Sequence, residues 1–198
     1  MTAVARKRPA DAARKGSSFV ALLRGVNVGG RNLIRMPDLA ECFRDAGYGE
    51  VSTYLQSGNV LFTAPRQKGP KLEAAVEKVI HERFDVPLLV VIRSRDELAK
   101  TLDAAPADHA SPKLRSDVFF LKHPLTAAQA LAELPELRDG VDSVTPGPGV
   151  IYFSRVASKA TKTRIQRFMA MPVFQQITVR TWRTCTGLLE RLDAVDGA

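Results

Sequence analysis

Cysteine is nearly absent from this chain of 198 residues: Cys42 sits in a helical pattern and Cys185 lies near the far end. Two such residues exclude a disulfide-stapled secreted framework and predict a reducing, cytoplasmic setting. Long apolar runs are missing too. The longest, Val86 to Ile92, contains Pro87 and falls far short of the roughly 20 residues that cross a bilayer. No apolar block follows the basic residues of Met1 to Ser17, so no secretory leader is expected. Aromatic residues make up 7%, and no strand carries the RNP-type aromatic pattern that stacks RNA bases. His81, His109 and His123 lack metal-ligand spacing, with no cysteine near enough in sequence to complete a zinc site. Neither a metal nor a cofactor is indicated, and no Ser/His/Asp or paired-carboxylate arrangement can be assigned.

Acidic residues are missing from one long stretch. Val150 to Leu189 holds Arg155, Lys159, Lys162, Arg164, Arg167, Arg180 and Arg183 without an Asp or Glu. The whole chain carries a net charge of +8, half of it from Arg6, Lys7, Arg8, Arg14 and Lys15 set against Asp11 in the opening tail. A one-signed segment makes a positive surface, for which phosphates or nucleic acid are the natural partners.

What is present is the 45% hydrophobic, 25% charged mixture of an ordinary folded protein. Phe19 to Leu23 is apolar without helical spacing and reads as a buried strand. A helix opens near Pro37, with Leu39, Cys42, Phe43 and Ala46 on one face. Val51 to Leu55 and Val60 to Thr63 are strand-like runs around the turn Gln56-Ser57-Gly58-Asn59. A second helix follows Pro70, then a strand from Pro87 to Ile92. Arg95 to Ala105 predicts a connecting helix, and the order repeats: strand Asp117 to Leu121, helix Thr126 to Leu134, strand Val141 to Val144, turn Thr145 to Gly149, strand Val150 to Phe153, helix Ser158 to Met169, strand Ile177 to Trp182. A last helix spans Thr184 to Leu192. The expected fold is α+β, two tandem ferredoxin-like βαββαβ halves with a connecting helix and a C-terminal helix. The divisions are a disordered basic tail over 1–17, a first half over 18–93, a connector over 94–115 and a second half over 116–198.

This topology predicts two polar clusters. The loop Gly25 to Arg35 and the hairpin turn should share one end of the first sheet, so that Arg24, Asn27, Gly29, Gly30, Arg31, Asn32, Gln56, Ser57 and Asn59 converge. Glycines between a strand and a helix suit phosphate, but their spacing matches neither dinucleotide nor P-loop fingerprints, and a turn needing positive φ explains them as well. Gln56 to Asn59 equally could bind a polar ligand or close a hairpin. In the second half, Arg155, Ser158, Lys159, Arg180 and Arg183 are expected to gather at a helix start, where free backbone N–H groups attract anions. The alternative is a solvated helix face over an inward stripe of Ile165, Phe168 and Met169. Cys185, at a helix start beside Arg183, is either a thiol of lowered pKa or a small structural residue.

Three stretches carry a family resemblance: Leu22 to Gly30, Tyr54 to Phe62, and Ser154 to Thr161 with Thr178 to Thr184. They closely resemble a bacterial family known only as domain of unknown function 1697, over roughly Phe19 to Leu192. The family commonly brackets its tryptophan with asparagines, whereas Arg183 follows Trp182 here. The resemblance implies a two-part α+β architecture and brings no reaction, cofactor or catalytic residue.

The functional expectation is a cytoplasmic protein, outside any membrane, that binds an anionic small molecule bearing phosphate, or nucleic acid. An enzyme acting on a nucleotide-like or carboxylated small molecule, and a protein–protein interaction module, are the alternatives, since such folds host all three.

Overall fold

The computed structural model describes residues 16–30 and 32–197, so the basic tail up to residue 15 and the expectation for Arg31 lie outside the described residues. The chain is a mixed α+β protein with two four-stranded antiparallel sheets. The first is built from β1 (Ser17–Leu23), α1 (Met36–Asp45), β2 (Gly49–Thr53), β3 (Asn59–Ala64), α2 (Gly69–Phe84) and β4 (Val90–Ser94), with strand order β2-β3-β1-β4. After α3 (Arg95–Asp103) come β5 (Leu114–Leu121), α4 (Ala127–Ala132), β6 (Asp142–Gly147), β7 (Val150–Val156), α5 (Ile165–Met169) and β8 (Ile177–Thr181), ordered β6-β7-β5-β8, and finally α6 (Trp182–Asp196).

The unbroken apolar run of β1 follows from burial on both faces. Phe19, Ala21 and Leu23 pack with Val60, Phe62 and the inner stripes of α1 and α2. Val20 and Leu22 turn the other way, joining Val91, Val118, Phe120 and Tyr152 from both sheets with Leu98 of α3 and Leu188 of α6. A third core lies on the far face of the second sheet, where Phe119, Ile151 and Phe153 meet Phe168 and Phe174. The middle core therefore welds the halves. Truncating a fully buried leucine such as Leu22 there costs about 2–5 kcal/mol.

Local sequence sets the element ends. Ser94 and Glu97 form a reciprocal capping box at α3, as Thr126 and Gln129 do at α4. Gly58 has φ +72°, and a Cβ there would stand 2.9 Å from the Leu23 Cβ, so the hairpin must pass glycine against β1.

Three expectations need correction. The helix over Ser158 to Met169 is broken into a 3₁₀ segment, Ala157–Lys162, and the short α5. Thr161 and Thr163 in the middle are β-branched, and the Thr163 hydroxyl accepts from Ile165 N at 3.2 Å, competing with the helical ladder. The turn proposed for Thr145 to Gly149 shrinks to Pro148 and Gly149, because β6 continues through Pro146, which an edge strand tolerates. The strand expected at Pro87 starts at Val90.

Candidate functional site

The glycine-rich loop and the hairpin turn meet at one end of the first sheet. Asn27 Nδ2 donates to the Gln56 carbonyl at 3.2 Å and to that of Ile34 at 2.9 Å, while Ile34 N donates back to Asn27 Oδ1. Arg24 Nε donates to the Ile177 carbonyl at 3.0 Å. Asn59 is fully buried, its amide donating to the Tyr54 carbonyl at 2.7 Å. These side chains hold loops together. Gly29, Gly30, Gln56 and Ser57 remain exposed.

Arg180 belongs here and not with the basic cluster. It pairs across the sheet with Val118, whose side chain enters the middle core, whereas Arg155 pairs with Arg115 and shares a face with Phe153 of the outer core. Period two puts the two arginines on opposite faces. Arg180 Nε donates to Asn59 Oδ1, and its terminal nitrogens reach the carbonyls of Leu23 at 2.8 Å and of Ser57 and Gly58 at 3.1 Å, with Thr178 Oγ1 at 2.9 Å and the Val179 carbonyl at 2.8 Å. Burial pushes its pKa down to about 10, which leaves it charged at neutral pH. Every N–H is committed within the protein.

Arg93 is its counterpart. Each arginine is the fourth residue of its half's last strand and is followed by a helix-capping hydroxyl, Ser94 or Thr181. Arg93 crosses into the second half, donating to the carbonyls of Leu121 at 2.7 Å and Gly149 at 3.1 Å. It is backed by the fully buried Glu73, which also contacts Lys122 and His123. Reciprocal arginine clamps thus tie the halves.

Arg155, with Arg115, lines a cleft of about 380 Å³ on the outer face of the second sheet. Phe119 and Val179 form its floor, Arg115, Asp117 and Arg155 one side, and Ser158, Thr161 and Thr163 the other. Arg155 donates to Asp117 Oδ2 at 3.1 Å and lies 5.6 Å from the Phe153 ring centroid. Desolvation raises the Asp117 pKa, an effect Arg155 partly offsets. Only Arg155 and Ser158 of the expected cluster line this cleft. Lys159 is exposed and donates to the Gly140 carbonyl at 3.3 Å, and Arg183 is exposed on the first turn of α6. Sequence reading missed Arg115 and Asp117, although charges alternating with Phe119 along a strand were a usable signal. The one-signed stretch is not one-signed in space: Asp117 serves Arg155, while Glu136 pairs with Arg164 at 3.2 Å.

A larger cleft, about 1060 Å³, opens where β1 begins. Its lining cations and carboxylates are matched in number, and Arg95 there is already held by Asp193 at 2.7 Å, so it offers an anion no net field.

Elsewhere the titratable groups are structural. His109 is buried, with Nδ1 2.9 Å from Ser154 Oγ and its ring edge-on to Tyr152 and Trp182. Burial pushes the Cys185 thiol up to about 12, so the lowered pKa weighed for it does not arise. No group of three or more His, Cys, Asp or Glu among the described residues could hold a metal, and no helix among them is long and apolar enough to cross a membrane.

A family model described as Protein of unknown function (DUF1697) matches residues 17–152, ending just before the third signature stretch. A solved structure described as conserved bacterial protein SP0830 from Streptococcus pneumoniae superposes with a TM-score of 0.79 at 24% identity, covering 89% of this chain and 98% of that one. At that identity the likeness is one of fold. No curated protein matches the chain.

Proposed function

This chain belongs to the DUF1697 family of unknown function, and from that premise we propose that it binds a small, phosphate-bearing anion in the cleft between β5, β7 and the 3₁₀ segment. One observation carries the reading: Arg115 and Arg155 are cross-strand partners on neighbouring strands and line one recess together with the hydroxyl residues Ser158, Thr161 and Thr163. Cross-strand like charges repel, a repulsion that Asp117 relieves for Arg155 and that a bound anion would relieve for Arg115. A forked donor with an adjacent hydroxyl is also the pairing that recognises phosphate oxygens.

Comparison of the halves supports specialisation of the second. We read them as ferredoxin-like units related by duplication, a reading favoured by their matching strand orders and by Arg93 and Arg180 at matching places. In that alignment Ser17, Phe19 and Ala64 of the first half correspond to Arg115, Asp117 and Arg155 of the second. The first half thus has no charge at the three equivalent places. Two free, buried cysteines suit a cytoplasmic setting.

A small ligand is favoured over nucleic acid because Arg180 is withdrawn into the protein and Arg155 and Arg164 are paired, which leaves no continuous basic track among the described residues. The test is calorimetry and thermal shift with inorganic phosphate, pyrophosphate and mononucleotides, alongside a polynucleotide titrated with salt. Saturable small-anion binding abolished by Arg155→Ala supports the proposal. Silence toward every small anion refutes it, and polynucleotide binding that weakens steeply with salt would transfer it to nucleic acid.

A further inference from the structure

Resting on that anion-binding reading, we infer that Asp117 determines specificity, restricting the cleft to anions that present a hydrogen-bond donor, best an ammonium group, beside the phosphate. Among the described residues Asp117 is the only carboxylate lining the cleft, and it sits on the same strand and face as Arg115, two residues away. Its Oδ2 accepts from Arg155 at 3.1 Å, and among the described residues no donor reaches Oδ1. The carboxylate is not sealed off either, since its side chain keeps 15% exposure beside 23% for Arg155. The recess thus offers an incoming molecule two opposed arginines and, two residues along β5, a carboxylate with one acceptor oxygen uncommitted.

A bare dianion seated against Arg115 and Arg155 is held close to this negative oxygen. The repulsion offsets part of the attraction, and the hydrogen bond from Arg155 holds Asp117 in place beside it. A ligand that places an ammonium or hydroxyl group near its phosphate converts the repulsion into a charge-assisted hydrogen bond. Arg115, Ser158, Thr161, Thr163 and Gln166 line the same cleft, but none of them is bonded to Oδ1. On β7 the neighbour is Arg155, already engaged through Oδ2; on β8 the cross-strand partner is Thr181, whose hydroxyl is bound up with Thr184 in capping α6. The opposite wall supplies Ser158, Thr161 and Thr163, hydroxyls that suit phosphate oxygens. Selection follows because an analogue lacking the donor leaves a partly buried acceptor facing an anion.

Three probes of similar size separate the possibilities: phosphoethanolamine, glycerol 1-phosphate and ethyl phosphate, measured by calorimetry at neutral pH on the full chain. Phosphoethanolamine is expected to bind about tenfold more tightly than ethyl phosphate, the order of one charge-assisted hydrogen bond, with glycerol 1-phosphate between them. Asp117→Asn, checked for folding by circular dichroism, should bring the three affinities together mainly by tightening ethyl phosphate. If the native protein binds all three equally, or prefers ethyl phosphate, the inference about Asp117 is overturned while the anion-binding reading stands. Binding of none of the three, nor of inorganic phosphate, would overturn both.

Discussion

Removing Arg180 separates a structural clamp from a ligand-binding arginine. In Arg180→Ala the carbonyl of Gly58 keeps a partner, because Leu23 N also donates to it at 2.8 Å. Asn59 Oδ1 loses its donor, and the Leu23 carbonyl retains only a long contact of 3.5 Å from Thr178. Two buried acceptors are therefore stranded, at roughly 1–3 kcal/mol each, and losing the clamped side chain adds to the cost; release from confining a charge with no carboxylate partner returns part of it. The expected loss is about 2–4 kcal/mol, a large fraction of the stability of a single domain. Urea unfolding followed through Trp182 is a suitable assay, since this sole tryptophan opens the helix that follows Arg180. Anion binding in the cleft, on the opposite face of the sheet, should survive wherever the variant is folded. A variant that is as stable as the native protein but no longer binds anions would refute the assignment and return Arg180 to the basic cluster.

Three further outcomes follow from the same geometry. Burial lowers the His109 pKa below its ordinary 6.5, so the unfolded chain takes up the proton first; the associated stability is complete above about pH 6.5 and is lost as the pH falls below it. The urea midpoint should decline over that window, and less so in His109→Gln if the ring is responsible. Gly58→Ala forces a Cβ into the Leu23 side chain at positive φ and should cost about 2–4 kcal/mol by the same assay. Cys185, wholly buried with its pKa near 12, should resist a water-soluble thiol reagent in native buffer and react on unfolding; fast native labelling would contradict its placement.

Much of the fold was legible in local chemistry. The unpatterned apolar run of β1 announced burial on both faces, and the helices expected from Arg95 and from Thr126 begin where capping boxes, Ser94 with Glu97 and Thr126 with Gln129, fix their starts over three residues. Legibility failed where local signals conflicted. Ile165, Phe168 and Met169 have helical spacing, yet the threonines before them favour another backbone, and the anion site imagined at a helix start went with that helix. The cleft was half legible. Its position near Arg155 and Ser158 could be anticipated from charge, but the carboxylate of Asp117 lies 38 residues away in sequence from the arginine it holds.

By itself the amino-acid sequence determined the order of strands and helices, the apolar faces and the excess of positive charge, all of which depend on spacings within a few residues. Tertiary structure decided what each charge does. Alternation along β8 separates Arg180 from its apolar neighbours, but only the docking of one sheet on the other makes its side the interior, and only there do Asn59 and the carbonyls of Leu23, Ser57 and Gly58 take up the donors that its own strand leaves free. The same docking leaves Arg155 outside, where a charge can still meet a ligand.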